Sequence, residues 1–402
     1  MKPRVAEAAA GPELTLGTVL RAALSPPAPP PRLPPHHRKV LLALMACRTP
    51  ALGGHLFECA RCGQEHFVPH SCRNRHCPTC QGANGFDWLE QQAQLLLPIP
   101  YFHLVFTLPH DLNPLIQQNR AALHGLLFDT VSATLLEFGR NHLHAQIGLT
   151  AVLHTWSQTL LDHYHLHCVV TGGGLRLDGQ SWKHTGPHWL FPVRALSRVF
   201  RGKFRHGLQA LHAAAQIEFH GQLLPLARPE AFAALLRQAC RQPWVVYAKR
   251  PFAGPDVVLA YLSRYTHRVG ITNGRLLTLD PASRTVTFAY KDYADGSKRK
   301  TMTLSLDEFL RRFRLHILPE RFVKIRHYGL HSNRNRRARV AQARAALGAT
   351  EPAADPASEV PKGLAPAAGP PLPVCPYCGQ PALVLVRVIL PPKQGPEYCD
   401  SS

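Results

Sequence analysis

Two short motifs of this 402-residue chain combine residue types that can do chemistry together. His165 and His167 alternate in an apolar segment that ends in three glycines. Side chains repeat every two residues along a strand, so both imidazoles project from one face and can bind a divalent metal. Tyr261 and Tyr265, spaced i,i+4, share one face of a predicted helix. A phenol beside a metal-polarised phosphate can attack the phosphorus, which predicts an enzyme that cleaves DNA through a phosphotyrosine.

Both pairs also have an ordinary structural explanation. A His-x-His motif arises readily by chance among 24 histidines, and the two tyrosines fall with Val258 on a helical stripe that could face a core. Arg264 and Arg268 on the same predicted helix instead favour phosphate recognition. Two histidines do not complete a site for a hard divalent ion. The third protein ligand stays open among His154, Gln158 and His163.

Paired cysteines near the N-terminus predict a zinc site. Cys59 and Cys62 form one Cys-x-x-Cys pair, and Cys77 and Cys80 form another after fourteen intervening residues. Four thiolates at this spacing can converge on one tetrahedral zinc, as in a zinc ribbon. Four protein ligands leave no open coordination position, so we expect one structural zinc in a domain that recognises DNA.

Other candidate ligands leave this zinc assignment partly open. Cys72 and His76 lie between the two pairs and could replace one of them. Cys375 and Cys378 near the C-terminus supply only two ligands and would need partners elsewhere in the chain. The loop between the first two pairs also carries basic residues that we expect to contact phosphates, namely Arg73 and Arg75.

The composition favours a nucleic-acid partner. Lys and Arg number 46 against 25 Asp and Glu, a net charge of +21, which indicates an anionic partner. Eleven cysteines, mostly in Cys-x-x-Cys pairs without a secretion signal, favour metal binding over disulfides. No run of eighteen apolar residues occurs, so we expect no membrane span. We therefore expect a cytoplasmic, nucleoid-associated protein with no small-molecule substrate.

Composition and periodicity divide the chain into four predicted segments. Residues 1–38 are Pro-rich and expected to be disordered apart from a short helix at Leu14–Leu24, and residues 39–95 form a zinc-binding DNA-recognition domain. Residues 96–345 form an α/β-patterned catalytic domain, and residues 346–402 an Ala/Pro linker with a Cys-x-x-Cys tail. In the catalytic domain we expect strands at Phe102–Leu108, Leu149–Trp156 and His165–Thr171, and helices at Leu115–His142 and Asp307–Leu315.

The order of these motifs resembles a known family. A cysteine cluster, a His-hydrophobic-His strand and a Tyr-x-x-x-Tyr helix follow one another as in the rolling-circle transposases of the insertion sequence 91 family. These are two-tyrosine members of the HUH nuclease superfamily. The resemblance spans roughly residues 40–345, and four stretches carry it: Ser71–Pro78, Phe106–Pro109, Tyr261–Arg268 and Arg326–Gly329.

The resemblance implies a fold and an active site. It implies an α+β fold, in which an HUH-type nuclease domain with a central antiparallel sheet flanked by helices follows a small zinc-ribbon-like domain. It also implies that His165 and His167 bind a catalytic Mg or Mn ion. Tyr261 and Tyr265 are then the nucleophiles that cleave single-stranded DNA.

The function expected from these features is DNA transposition. The enzyme would nick and rejoin single-stranded DNA at element ends and target through a 5′-phosphotyrosine, with a structural zinc besides the catalytic ion. The alternatives are a replication initiator or relaxase of the same chemistry, or an inactive zinc-dependent DNA-binding protein. We expect the DNA backbone to contact Arg73, Arg75, Arg264, Arg268, Lys298, Arg299, Lys300, Arg334, Arg336 and Arg337.

Overall fold

The computed structural model describes residues 14–25, 32–81, 96–186, 190–252, 258, 268–349 and 373–391. The chain divides into two compact units. Unit 1 comprises residues 1–81, 271–311 and 359–402, and unit 2 comprises residues 82–270 and 312–358. Residues 271–311 and the C-terminal tail therefore cluster with the N-terminal part of the chain.

The helices and strands of the described residues are numbered in chain order. The helices are α1 (Leu16–Leu24), α2 (Pro35–Ala46), α3 (Asn113–Gln118), α4 (Arg120–Leu143), α5 (Val193–Ala213), α6 (Pro229–Ala239), α7 (Leu306–Arg314) and α8 (Arg336–Ala346). The strands are β1 (Gly54–Cys59), β2 (Glu65–Pro69), β3 (Tyr101–Thr107), β4 (Ala145–Gln146), β5 (Gly148–Trp156), β6 (Asp162–Thr171), β7 (Gly173–Arg176), β8 (Trp182–His184), β9 (Val246–Phe252), β10 (Leu276–Asp280), β11 (Thr285–Asp292), β12 (Lys298–Ser305), β13 (Ile325–Gly329) and β14 (Leu383–Ile389). Within the described part of the chain, no helix has the length and apolar character that crossing a membrane requires.

A capped helix opens unit 1. The side chain of Thr15 accepts a hydrogen bond from the backbone N–H of Thr18, and the Thr18 side chain in turn contacts the Thr15 backbone N–H. This reciprocal cap satisfies amide groups that have no partner inside the helix. The apolar side chains Leu16, Val19, Leu20 and Ala23 of α1 are buried and α1 packs on α2, so the short helix predicted at Leu14–Leu24 is present. An amphipathic helix with a packing partner can offset its ordering entropy.

Two three-stranded antiparallel sheets complete unit 1. One has the order β14-β1-β2, so the C-terminal strand pairs with the first strand of the chain. The other has the order β10-β11-β12, and Phe288 of this sheet packs edge-to-face on Phe309 of α7.

A five-stranded antiparallel sheet forms the centre of unit 2, in the order β13-β5-β6-β3-β9. One face belongs to the main apolar core, to which β3 contributes Phe102, Leu104 and Phe106. Helices α4 and α5 cover this core with apolar side chains every three to four residues, as in Leu123, Leu127 and Val131, or Phe200, Phe204 and Leu208. The predicted α+β class with a central antiparallel sheet and flanking helices is confirmed.

The opposite face of this sheet carries polar side chains. Strand alternation sends the odd-numbered residues of β3 and β6 to this face, since Val105 pairs with His167 and Thr107 with His165. We call this surface the histidine face. Part of it is sealed by a smaller apolar cluster that includes Tyr101, Val169 and Val258.

Candidate active site and metal centres

Three histidines of two neighbouring strands converge on the histidine face. His165 and His167 project from β6, and His154 of β5 lies directly opposite His165 in the strand pairing. One ring nitrogen from each of the three residues lies within 4.8 Å of those of the other two. We call this group the histidine triad. Three imidazoles at this separation can bind one metal ion and leave further coordination positions open.

Hydrogen bonds fix the orientation of two of these imidazoles. Nδ1 of His165 lies 2.8 Å from the carbonyl oxygen of His163, to which it donates a proton, so Nε2 is the basic nitrogen. Nδ1 of His167 lies 2.9 Å from Nε2 of His103 on β3. Such partners behind a ligand set the ring orientation before a metal binds. No motif in the sequence marks His103, although it lies in the strand predicted at Phe102–Leu108, where polar and apolar residues alternate.

Burial favours the uncharged form of His165 and His167. It lowers the pKa of His165 to about 3, with a further contribution from the neighbouring His163. Burial also lowers the pKa of His167, and the charges of His154, His165 and His103 add to the effect. Arg268 lies close enough to lower both pKa values further. Neutral imidazole is the form that binds metal, so the site is ready for an ion at neutral pH.

Of the three candidates for a third ligand, the structure brings His154 to the pair. His163 points to a different neighbour, and its Nδ1 lies 3.4 Å from Nε2 of His110. Gln158 lies in the turn after β5. Among the described histidines, cysteines and carboxylates, His163 does not belong to the group of ligand atoms formed by the triad.

The tyrosine motif lies outside the described residues, which include none of Tyr261, Arg264 and Tyr265. The residues described on either side of it are Val258 and Arg268. Val258 is buried in the apolar cluster on the histidine face, and Arg268 is the arginine that influences the triad.

The cysteines form two separate groups, so the four cysteines predicted to share one zinc do not lie together. Thiol cluster 1 contains Cys77 and Cys80 together with two cysteines from other positions, and thiol cluster 2 contains Cys59 and Cys62 together with the C-terminal pair. The two predicted pairs therefore do not converge. The full sets are Cys47, Cys72, Cys77 and Cys80 in cluster 1, and Cys59, Cys62, Cys375 and Cys378 in cluster 2.

The geometry of thiol cluster 1 fits a zinc ion. Tetrahedral thiolates at a Zn–S distance of about 2.3 Å have sulfurs about 3.8 Å apart. The Sγ of Cys47 lies 3.5 Å from that of Cys77 and 3.6 Å from that of Cys80, and the Sγ atoms of Cys72 and Cys80 are 3.7 Å apart. His76 stays outside the group, and its Nδ1 lies 3.0 Å from Oδ1 of Asn74. Cys47 ends helix α2, and no Cys-x-x-Cys pattern marked it in the sequence.

Two of the basic residues predicted on the β11–β12 hairpin are already paired with carboxylates. Lys298 contacts Asp295 at 2.9 Å, and Lys300 contacts Asp292 at 2.8 Å and Asp295 at 3.0 Å. Arg299 between them is exposed. DNA would have to compete with these carboxylates for both lysines, so the hairpin is a weaker electrostatic surface than its sequence indicates.

The other predicted DNA contacts differ in exposure. Arg73, Arg334 and Arg337 are exposed. Arg75 and Arg336 are partly buried, and burial lowers the pKa of each guanidinium. Arginine remains charged in proteins, so these two groups also stay cationic.

Comparisons with known proteins identify the family of the chain. Residues 148–339 match the family described as "Putative transposase", and residues 22–108 match the family described as "Transposase zinc-binding domain". A protein named "Putative transposase y4qJ" from Sinorhizobium fredii is 44% identical over 368 residues, which cover 90% of this chain and 92% of that protein. The "Transposase for insertion sequence element IS801" from Pseudomonas savastanoi pv. phaseolicola is 29% identical over 293 residues, covering 72% of this chain and 69% of that protein.

A solved structure of a conjugative relaxase, TrwC, in complex with oriT DNA is also similar to part of the chain. The identity is 16%, the TM-score is 0.24, and the match covers 43% of this chain and 73% of the relaxase chain. The 44% identity over nine-tenths of both chains is decisive, together with the two matched domains. The chain belongs to the insertion sequence 91 family of transposases.

Proposed function

We propose that this transposase nicks and rejoins single-stranded DNA at the ends of its element and at the target, through a 5′-phosphotyrosine. The observation that carries the proposal is the histidine triad, in which one ring nitrogen from each of three imidazoles on one sheet face lies within 4.8 Å of the other two. His154 and His165 are buried and His167 is partly buried, and imidazoles that converge in this way are typical of a metal site.

The described residues that flank the tyrosine motif support a role for Tyr261 and Tyr265 as nucleophiles. Val258 packs in the apolar cluster with Val169, which lies two residues from His167 on the same face. Arg268 acts electrostatically on the triad. Tyr265 precedes Arg268 by three residues, and three residues of extended chain span at most about 11 Å. The sequence position of this tyrosine is therefore compatible with attack at the triad.

The donor atoms of the triad also indicate which metal ion the proposed site prefers. His154, His165 and His167 would hold the ion, which would polarise the scissile phosphate and offset the charge that develops on its oxygens. Imidazole nitrogens suit first-row transition metals better than Mg, which prefers oxygen ligands. Of the two expected ions, Mn therefore fits this donor set better than Mg.

The proposed reaction is a transesterification. The phenolic oxygen of a tyrosine forms a bond to the phosphorus, the bond from phosphorus to the 3′ oxygen breaks, and the phenol proton ends on that departing oxygen. The number of phosphoester bonds is unchanged, so a later 3′-hydroxyl can reverse the step and join two strands. Arg268 beside the triad would stabilise the phosphate charge during both steps.

The test is a covalent-adduct assay with single-stranded oligonucleotides from the element ends. The protein is incubated with DNA and Mn, denatured, and separated by electrophoresis. We expect a protein–DNA adduct that Tyr261→Phe combined with Tyr265→Phe abolishes while DNA binding persists, because phenylalanine keeps the ring and removes only the hydroxyl. Tyr247→Phe is the matched control, since Tyr247 is an exposed tyrosine on β9.

An adduct that survives in the double variant would show that the nucleophile is another residue. Equal cleavage of element ends and of a replication or transfer origin would favour an initiator or relaxase role over transposition. If the native protein forms no adduct with any single-stranded DNA, the result would favour the alternative of an inactive zinc-dependent DNA-binding protein. A DNA-acting enzyme of this kind would work in the cytoplasm beside the nucleoid.

A further inference from the structure

Two short segments at opposite ends of the chain share one sequence frame. Residues 59–64 read Cys-Ala-Arg-Cys-Gly-Gln, and residues 375–380 read Cys-Pro-Tyr-Cys-Gly-Gln. We propose that these two segments hold a second structural zinc, so that the C-terminal tail completes a metal site begun by the N-terminal domain. The match to the zinc-binding family ends at residue 108, so half of this ligand set lies outside it.

The two segments have equivalent backbones. The N–H of Cys59 donates to the carbonyl of Gln64 at 3.0 Å, and the N–H of Cys375 donates to that of Gln380 at 2.8 Å. The turns close in the same way, because Gly63 and Gly379 each donate to the carbonyl of the first cysteine, at 2.8 and 2.9 Å. Both glycines have a positive φ, +68° and +71°. A Cys-x-x-Cys-Gly turn of this kind points two sulfurs to one side, and the chain builds it twice.

The four sulfurs lie at the spacing that zinc requires. The Sγ atoms of Cys59 and Cys378 are 3.6 Å apart, and those of Cys62 and Cys375 are 3.8 Å apart. A tetrahedral zinc with Zn–S bonds of about 2.3 Å needs about 3.8 Å between sulfurs. A disulfide needs about 2.0 Å, so these contacts are not disulfides. Four thiolates also leave no open position, which makes the site structural and not catalytic.

The sheet brings the two segments together. Strand β14 pairs with β1 from Gly54 opposite Ile389 to Cys59 opposite Leu383. The N–H of Ala60 continues the contact by donating to the carbonyl of Ala382 at 2.9 Å. Cys59, Cys375 and Leu383 are buried together in a small cluster next to the sulfurs. Three buried residues contribute little to the stability of the C-terminal strand on this sheet. A bound zinc would supply the additional stabilisation.

The proposal is tested on the full-length protein by counting zinc. We expect two tightly bound zinc ions per chain by elemental analysis. Cys375→Ser combined with Cys378→Ser should lose one, and Cys72→Ser combined with Cys77→Ser should lose the other. Cys240→Ser, a cysteine outside both thiol clusters, is the control and should keep both.

A second variant covers the case in which removal of two ligands unfolds the tail. Cys378→His keeps a zinc ligand, so it should keep two ions per chain. In the cobalt-substituted protein it should change the absorption bands of one site from four-sulfur to three-sulfur, one-nitrogen coordination. The proposal is overturned if the native chain holds one zinc, if the double serine variant at 375 and 378 keeps two, or if Cys378→His leaves the cobalt spectrum unchanged. The site does not depend on nuclease activity, so a failed adduct assay would not affect it.

Discussion

The Nε2 atom of His103 lies 2.9 Å from the Nδ1 atom of His167, and the two rings are almost parallel, at an interplanar angle of 8°. His103 is buried on β3, one strand away from the triad residue that it contacts. We infer that its ring fixes one side of the His167 imidazole and directs the opposite nitrogen to the proposed metal position. In that arrangement His103 is a positioning residue for a proposed metal ligand.

Replacement of His103 should weaken metal binding without removing a ligand. His103→Leu should raise the Mn dissociation constant about 10- to 100-fold, the range typical for lost hydrogen-bond partners behind a ligand. His103→Gln should retain much of the affinity, because its side-chain amide can lie near the position of Nε2. Mn titration by calorimetry measures both. Equal loss in the two variants would point to a packing role, and no loss in either would refute the positioning role.

Removal of His154 should abolish metal-dependent nicking. His154→Ala takes away one of three nitrogens, so both Mn affinity and adduct yield should fall by about 100-fold or more. Gln158→Ala is the comparison, because Gln158 was an equally open candidate from the sequence and lies in the turn after β5. If Gln158→Ala loses Mn and His154→Ala keeps it, the third ligand has been assigned to the wrong residue.

Gly329 at the end of β13 should tolerate no side chain. Its φ is +62°, and an added Cβ would lie 1.9 Å from the carbonyl oxygen of Ile147. We expect Gly329→Ala to lower the free energy of unfolding by about 3 kcal/mol or more, measured by urea denaturation. Gly221→Ala separates the cost of the positive φ from the cost of the close contact, because Gly221 has a φ of +56° with open space around its Cβ position. It should cost only about 1 kcal/mol. Similar losses at both positions would show that the close contact is unimportant.

Buried His124 should make the protein sensitive to acid. Its ring lies between Tyr164 and Phe322, and burial, with added repulsion from Arg120 and Arg326, lowers its pKa to about 3. In the unfolded chain this histidine binds a proton near pH 6.5. The free energy of unfolding should therefore fall as the pH drops from 6.5 to 3, and His124 should contribute about 1.4 kcal/mol per pH unit to that fall.

His124→Leu should reduce this slope in urea titrations at several pH values. His206→Leu makes the same change at an exposed position of α5 and should leave the slope unchanged. An unchanged slope in His124→Leu would mean that this histidine is protonated in the folded state.

Local features of the sequence were sufficient to predict most of the sheet. Alternation of apolar and polar residues predicted strands at Phe102–Leu108, Leu149–Trp156 and His165–Thr171, which lie close to β3, β5 and β6. The same period of two predicted that the His165 and His167 side chains share a face. These inferences hold because side-chain direction along a strand depends only on neighbouring residues.

Tertiary structure decides which other residues lie beside His165 and His167. The sequence could not choose among His154, Gln158 and His163, because the choice depends on the register between β5 and β6. It also could not reveal His103, whose role depends on strand order in the sheet.

The cysteines show most clearly which features depend on local sequence and which depend on tertiary structure. The sequence indicated that Cys-x-x-Cys pairs can bind metal, since two sulfurs on one turn are a local property. Proximity along the chain then wrongly joined Cys59 and Cys62 to the pair at 77 and 80. In the folded protein, the pairing of β1 with β14 brings in ligands from more than 300 residues away, with Cys62 and Cys375 separated by 313 positions. Strand pairing therefore decides which Cys-x-x-Cys pairs lie together, and pairing between strands so far apart in sequence is fixed only when the whole sheet forms.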